Sequence, residues 1–265
     1  MKILVTNDDG ILAQALWVLV RELSKIAQVV VVAPDREQSA IGTAVTLHQI
    51  LRINRLNPPL AEVEAYSVDG TPSDCVLLAL GRLIPDKVDM VISGINQGAN
   101  LGDDVLISGT VSAALQGYLH GLPAVAISAA ATDDHRLDNA AKLAALLARK
   151  IGTGALPNDI LLNVNLPNIP LAEIRGAKVT YLASKSHSDT VTEENDGRRP
   201  CYRLVRQRVN RARDERADIG AIEQGKISIT PLHTSLLNRP SPKINDSLCL
   251  DLLQELQAVS ESQEG

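Results

Sequence analysis

Asp8 and Asp9 follow a short apolar run, Ile3-Leu4-Val5, and precede Gly10. In a regular strand two neighbouring side chains point to opposite faces. In a turn after the strand both converge on one point, and Gly10 lets the chain turn onward. Two carboxylates that close repel each other unless a cation lies between them. Hard oxygen donors of this kind suit Mg²⁺ or Mn²⁺. One aspartate would be enough to cap a helix starting near Leu12. Two, with Asn7 before them, exceed that need, so metal binding is the favoured reading.

A second segment, Ala33-Pro34-Asp35 through Gln38-Ser39 to Gly42, follows the next apolar run. Ser39 offers a neutral oxygen, but on residue chemistry alone Asp35, Ser39 and Gly42 read as ordinary turn residues. The third segment runs from Ser93 to Thr110 and is rich in glycine, which allows backbone amides close to a ligand. Asn96 offers a carbonyl oxygen to a hard metal. Ser108-Gly109-Thr110 lies just before an expected helix, where free N–H groups favour phosphate. The competing reading is a structural glycine loop capped by Asp103 or Asp104. Neither GxGxxG nor GxxxxGK[ST] occurs, nor the GxSxG of an esterase nucleophile.

These segments need strands and helices to position them. Lys2–Val5, Val29–Ala33, Val88–Ile92, Ala124–Ser128 and Ile160–Asn165 read as strands, their apolar runs suiting a sheet buried on both faces. Helical periodicity falls on Leu12–Ile26, Pro72–Leu83, Ser112–Leu119 and Asp138–Lys150. The alternation predicts an α/β fold, Rossmann-like and doubly wound, with a mostly parallel sheet. The loops above then share the carboxyl edge of that sheet, where such folds bind ligands. The character changes near residue 180. Ser184–Asp218 is polar with weak alternation, Lys226–Ile229 reads as a strand ended by Pro231, and Asp246–Val259 as an amphipathic helix before a frayed tail. A catalytic domain over 1–180 and a C-terminal segment over 181–265 are expected.

The net charge of −5 argues against a nucleic-acid duplex as partner. Cys75, Cys201 and Cys249 are far apart and odd in number, which suggests free thiols rather than a disulfide or zinc framework. A polar, acidic N-terminus and the lack of a long apolar run predict a cytoplasmic protein with no membrane partner. The five histidines, His48, His120, His135, His187 and His233, lack metal spacing and read as structural or surface residues. The arginines between Arg198 and Arg216 interleave with acids and read as a solvated or intersubunit face.

Taken together, the motifs resemble the survival protein SurE family of 5′-nucleotidases. The matching pieces are Ile3 to Gly10, Ala33-Pro34-Asp35 with Gln38-Ser39, Asp69 to Val76, Ser93 to Asn96 with Gly98, Asn100, Gly102 and Asp104, Ser108 to Val111, Asn163 to Pro167, and Ile227 to Leu232. They occur in order over nearly the whole chain. The resemblance implies one divalent ion per subunit, Mg²⁺ or Mn²⁺, held by Asp8, Asp9, Ser39 and Asn96. It implies a nucleoside monophosphate substrate. It also implies a homodimer or homotetramer in which a C-terminal β-arm and helix are exchanged between subunits. The chain departs from the family pattern at Ala40 (usually Gly), Ile107 (commonly Tyr), Gln116 (often Glu) and Ala13-Gln14 (usually Ala-Pro). These positions touch loop shape and pocket lining rather than the metal ligands.

The expected chemistry is metal-assisted hydrolysis of a phosphate monoester. Asp8 and Asp9 are its catalytic residues, with Asp9 taking the water's proton. Asn96, Ser108, Gly109 and Thr110 are expected at the substrate phosphate. An aspartyl-phosphate route fits poorly, because the aspartates are adjacent rather than spaced Asp-x-Asp. Two rivals compete with the enzyme: a nucleotide- and metal-binding sensor without turnover, and an assembly protein whose swapped arm is its function.

Overall fold

The computed structural model describes residues 1–130, 134–184, 187–195, 199–208 and 214–233. The helix expected over Asp246–Val259, the tail after it and Cys249 lie outside the described residues. The compact unit is Met1–Leu232.

Its first elements follow the hydrophobic pattern. Strand β1 (Lys2–Thr6) is buried from Ile3 onward, and β2 (Gln28–Pro34) from Val29. Between them α1 (Gln14–Leu23) buries Ala15, Leu16, Leu19, Val20 and Leu23 along one stripe. The sequence reading misses β3 (Ile53–Leu56) and β4 (Glu64–Val68). Neither is a continuous apolar run. They lie at one margin of the sheet, where only some side chains must be apolar. Helix α2 (Pro72–Leu78) starts with a reciprocal cap: Thr71 Oγ1 accepts the Asp74 N–H at 3.1 Å, and Asp74 Oδ2 accepts the Thr71 N–H at 2.9 Å. The expected helix continues to Leu83, but as a wider π turn over Ala79–Leu83.

The alternation resumes with β5 (Met90–Gln97), α3 (Gly109–Leu119), β6 (Ala124–Ala129), α4 (Asp134–Gly152) and β7 (Leu161–Leu166). Then follow β8 (Ala177–Val179), an antiparallel hairpin of β9 (His187–Asn195) and β10 (Pro200–Arg208), α5 (Asp218–Glu223) and β11 (Ile227–Leu232). The main sheet has nine strands in the order β3-β4-β2-β1-β5-β6-β7-β11-β8. From β4 to β7 every pair is parallel, while β3 and β11 run antiparallel to their neighbours β4 and β7. This is the expected Rossmann-like α/β fold. Strand β11 runs through Pro231 instead of stopping before it. Its partner β8 pairs only with Ile227–Ile229, so Pro231 lies where β7 is the one neighbouring strand and a missing N–H is tolerated.

Two apolar layers sandwich the sheet. One gathers Ile3, Val5, Val31 and Ile92 with Leu16, Leu19 and Ala144 of α1 and α4. The other gathers Leu4, Val32, Val91 and Ala126 with Val76 of α2 and Ala113 and Ala114 of α3. The strand order reverses direction between β1 and β5, the place at which open α/β sheets form a ligand crevice beyond the strand ends.

Candidate active site at the switch point

The loop after β1 is built to bring acid to that crevice. Asn7 is fully buried, and its side-chain amide closes the turn on Gly10 from both ends: Nδ2 donates to the Gly10 carbonyl at 3.0 Å, and Oδ1 accepts the Gly10 N–H at 3.2 Å. Gly10 has φ +96°, and a Cβ there would lie 3.0 Å from the Arg36 carbonyl carbon. Only glycine lets the two loops lie this close. They are also joined by Ile11 N–H to Pro34 O at 2.8 Å and Gln38 N–H to Asp8 O at 2.7 Å.

Asp8 is buried. Its Oδ1 accepts the Thr110 hydroxyl at 2.6 Å, and the Thr110 amide also bonds the carboxylate. Burial pushes the Asp8 carboxyl above the usual range, with the Thr110 bonds opposing it and the Glu37 charge adding to it. Asp9 is pushed up to about 6, chiefly by burial and then by the Asp8 charge, against a bond from the Gln97 amide. Asp9 Oδ2 is buried without a hydrogen-bond partner. A buried carboxylate oxygen with no donor, beside a second buried carboxylate, is costly unless a cation or proton answers it. The donor set therefore fits a hard divalent ion. Among the described residues no group of three or more His, Cys, Asp or Glu is gathered for a metal, so further donors would be neutral oxygens.

The two neutral candidates lie next to residues whose amides bond the aspartates, Ser39 on a loop and Asn96 within β5. Ser39 is exposed on the loop after β2, its hydroxyl bonded to Glu37 Oε1 at 2.7 Å; the neighbouring Gln38 holds the Asp8 backbone. Asn96 is half-buried near the end of β5, one residue before the amide that reaches Asp9. The pairing with β6 shifts register between Ser93 and Asn96. Such a bulge re-aims side chains at a strand end. Asn96 Nδ2 donates to the Gly98 carbonyl at 2.6 Å, which commits the nitrogen end of that amide.

Helix α3 begins at Gly109, earlier than its apolar pattern indicates. The N-cap is Ser108, whose Oγ accepts the Val111 N–H at 3.2 Å. Gly109 and Thr110 therefore form the first helical turn. A Cβ on Gly109 would lie 2.7 Å from Asp8 Cβ and 3.2 Å from the Gln38 carbonyl oxygen. Of the four residues expected at the phosphate (Asn96, Ser108, Gly109 and Thr110), Ser108 thus spends its hydroxyl oxygen on the cap. Thr110 spends hydroxyl and amide on Asp8, a role the sequence reading does not find. Asn7, Gln38 and Gln97 are likewise missed, since two of them act through backbone amides that no side-chain pattern reveals.

The family model described as Survival protein SurE matches residues 3–189. The chain belongs to the survival protein SurE family. A protein named 5′-nucleotidase SurE from Dehalococcoides mccartyi (strain ATCC BAA-2266 / KCTC 15142 / 195) is 48% identical over 263 residues, covering 98% of this chain and 99% of the relative. Another of that name from Legionella pneumophila (strain Lens) is 45% identical over 237 residues, covering 89% and 92%. The crystal structure of the SurE protein from Aquifex aeolicus superimposes with a TM-score of 0.76 at 34% identity, covering 90% of this chain and 95% of that one.

Two departures from the SurE pattern have a visible setting. Ala40 holds φ +56°, a left-handed conformation that favours glycine. Ile107 accepts the Gly42 N–H through its carbonyl at 2.8 Å, so it ties the Ser39 loop to the segment leading into α3.

Proposed function

We propose that this chain is a divalent-metal-dependent 5′-nucleotidase, a phosphoric monoester hydrolase acting on nucleoside monophosphates. The observation that carries the reading is the partnerless, buried Asp9 Oδ2 beside buried Asp8, at the sheet's switch point. The names of its SurE relatives support the substrate class. Asp8, Asp9, Ser39 and Asn96 would hold one Mg²⁺ or Mn²⁺. When bound, the ion supplies positive charge and Lewis acidity for a phosphate in an otherwise acidic crevice.

The chain's own groups do the rest. Thr110 fixes Asp8 through two bonds, and the Gln97 amide fixes Asp9. The N-terminus of α3 lies against Asp8, and its dipole favours a phosphate there, although the Thr110 and Val111 amides are already bonded to Asp8 and Ser108. Water oxygen bonds to phosphorus, the bond to the nucleoside oxygen breaks, and nucleoside and inorganic phosphate leave. Asp9 takes the proton of the attacking water and returns it to the departing nucleoside oxygen.

We further propose a homo-oligomer joined through C-terminal segments, because the hairpin β9–β10 presents Val191, Tyr202 and Leu204 to solvent. The free thiols of Cys75 and Cys201 suit a cytoplasmic setting, and among the described residues no helix is long and apolar enough to cross a membrane.

The test is phosphate release from nucleoside 5′- and 3′-monophosphates with Mg²⁺ or Mn²⁺, then with EDTA. Release that requires metal and prefers nucleotides to a generic phosphate ester is expected, and Asp8→Asn should abolish it. Nucleotide binding without release under any metal would establish the sensor instead.

A further inference from the structure

Along the chain Asp104 lies between Asn96 and the Ser108–Thr110 segment, in the short helix Gly102–Leu106. Its carboxylate is buried and is gripped from the hairpin on both oxygens. Oδ1 accepts Arg206 Nη1 at 3.1 Å, and Oδ2 lies 2.7 Å from His187 Nδ1. Arg206 is braced by its cross-strand partner Asp189, with Nε to Oδ1 at 2.8 Å and Nη2 to Oδ2 at 3.2 Å. His187 is therefore structural, one of the two roles its spacing left open, and Arg206 does not lie on a merely solvated face. They reach across to the main body of the protein.

The backbone of Asp104 continues the connection toward the chemistry. Its carbonyl accepts the Ile107 N–H at 3.0 Å, and the Ile107 carbonyl accepts the Gly42 N–H at 2.8 Å. Ile107 is followed by the Ser108 cap and by Gly109 and Thr110, which touch Asp8. A second carboxylate holds the same segment from the C-terminal side. Asp218 Oδ2 accepts the Gly102 N–H at 2.7 Å, while Oδ1 accepts the Ala183 and Ile219 amides. Asp218 secures the start of the short helix, and Asp104 its middle.

We propose that Asp104, with Arg206 and His187, is a positioning latch through which the β9–β10 hairpin sets the first turn of α3 and the Ser39 loop around Asp8. The latch rests on the nucleotidase reading for its effect on turnover, but its structural effect stands apart from that reading. A bidentate arginine suits the task, because its planar fork orients two carboxylates at once, which a lysine does not. Small displacements at a catalytic constellation are amplified in rate.

The test compares full-length wild type with Arg206→Ala, Arg206→Lys and Arg203→Ala. Arg203 pairs with Glu194 on the same hairpin and serves as the control for general loss of a hairpin ion pair. Two quantities are read: amide hydrogen exchange over Ile107–Val111, and kcat and KM for nucleotide hydrolysis. Arg206→Ala should speed exchange there and lower kcat/KM about tenfold, Arg206→Lys should fall between it and wild type, and Arg203→Ala should match wild type. Unchanged exchange in Arg206→Ala, faster exchange with unchanged kcat/KM, or an equal effect of Arg203→Ala would each overturn the latch. If wild type itself releases no phosphate while Arg206→Ala still loosens Ile107–Val111, the nucleotidase reading fails and the structural latch stands.

Discussion

Asp9 is held near a tipping point. Its folded proton affinity, at about 6, exceeds the ordinary value of 3.8 because it is buried beside Asp8. The protonated form therefore favours the folded state. That contribution is complete below about pH 4 and is lost as the pH rises through about 6. In metal-free protein, Asp9→Asn should melt higher than wild type near pH 7.5, and the two should converge below about pH 4. A bound divalent ion answers the same charge, so Mg²⁺ should raise the melting temperature of wild type more than that of the variant. Thermal melts across pH, with EDTA and with Mg²⁺, measure both; parallel curves at every pH would sink the argument. Ala40 makes a separate prediction on the neighbouring loop. Its φ of +56° costs an L-residue more than it costs glycine. Ala40→Gly should stabilise the protein by up to about 1 kcal/mol, the relieved strain being partly offset by the freer unfolded chain. Urea denaturation with an unchanged m-value would record it.

At the scale of elements, α3 is the part whose position the site cannot spare. Its first turn lies against Asp8 with no room for a side chain at Gly109. Gly109→Ala should push the turn and Asp8 apart, lowering kcat at least about a hundredfold while the fold survives. A near-normal rate with an unshifted circular dichroism spectrum would show that the contact yields. The start of α3 was hidden in the sequence because Ser108, Gly109 and Thr110 lack an apolar pattern, and only the capped geometry makes them helical. The buried strands β1, β2, β5, β6 and β7 were legible because burial on both faces demands continuous apolar residues. Strands β3 and β4 were not, since Ile53–Leu56 sets two exposed polar residues between half-buried ends and Glu64–Val68 mixes polar with apolar ones. In the site, Asp8 and Asp9 announced themselves as adjacent acids after a strand. Ser39 looked like any turn serine and gained meaning only through family likeness. The Thr110–Asp8 and Arg206–Asp104 bonds each join residues 102 positions apart, a distance that only the fold closes.

For the whole molecule the telling feature is the hairpin β9–β10, which forms its own two-stranded sheet outside the nine-stranded one. An isolated two-stranded ribbon is marginal in water unless a further layer covers it. Its register places Leu204 opposite Val191, with Tyr202 two residues along on the same face. These side chains are 79%, 63% and 65% exposed, respectively. Arg206 and Asp189 occupy the same face one step further on and reach Asp104. The ribbon is thus tied to the catalytic unit at one end by charge and offers an apolar surface beyond it. If that surface meets a second copy, a buried charge at its centre should be costly to assembly and nearly free in the separate subunit, where the position is open to water. Leu204→Glu should therefore shift the protein to a smaller species in light scattering at low micromolar concentration. Because position 204 points to solvent in the single chain, the melting behaviour of the separated subunit should not reveal the substitution. An unchanged molar mass for the variant would mean that the exposed face of the hairpin has no part in assembly. The latch at Asp104 would then serve the subunit alone.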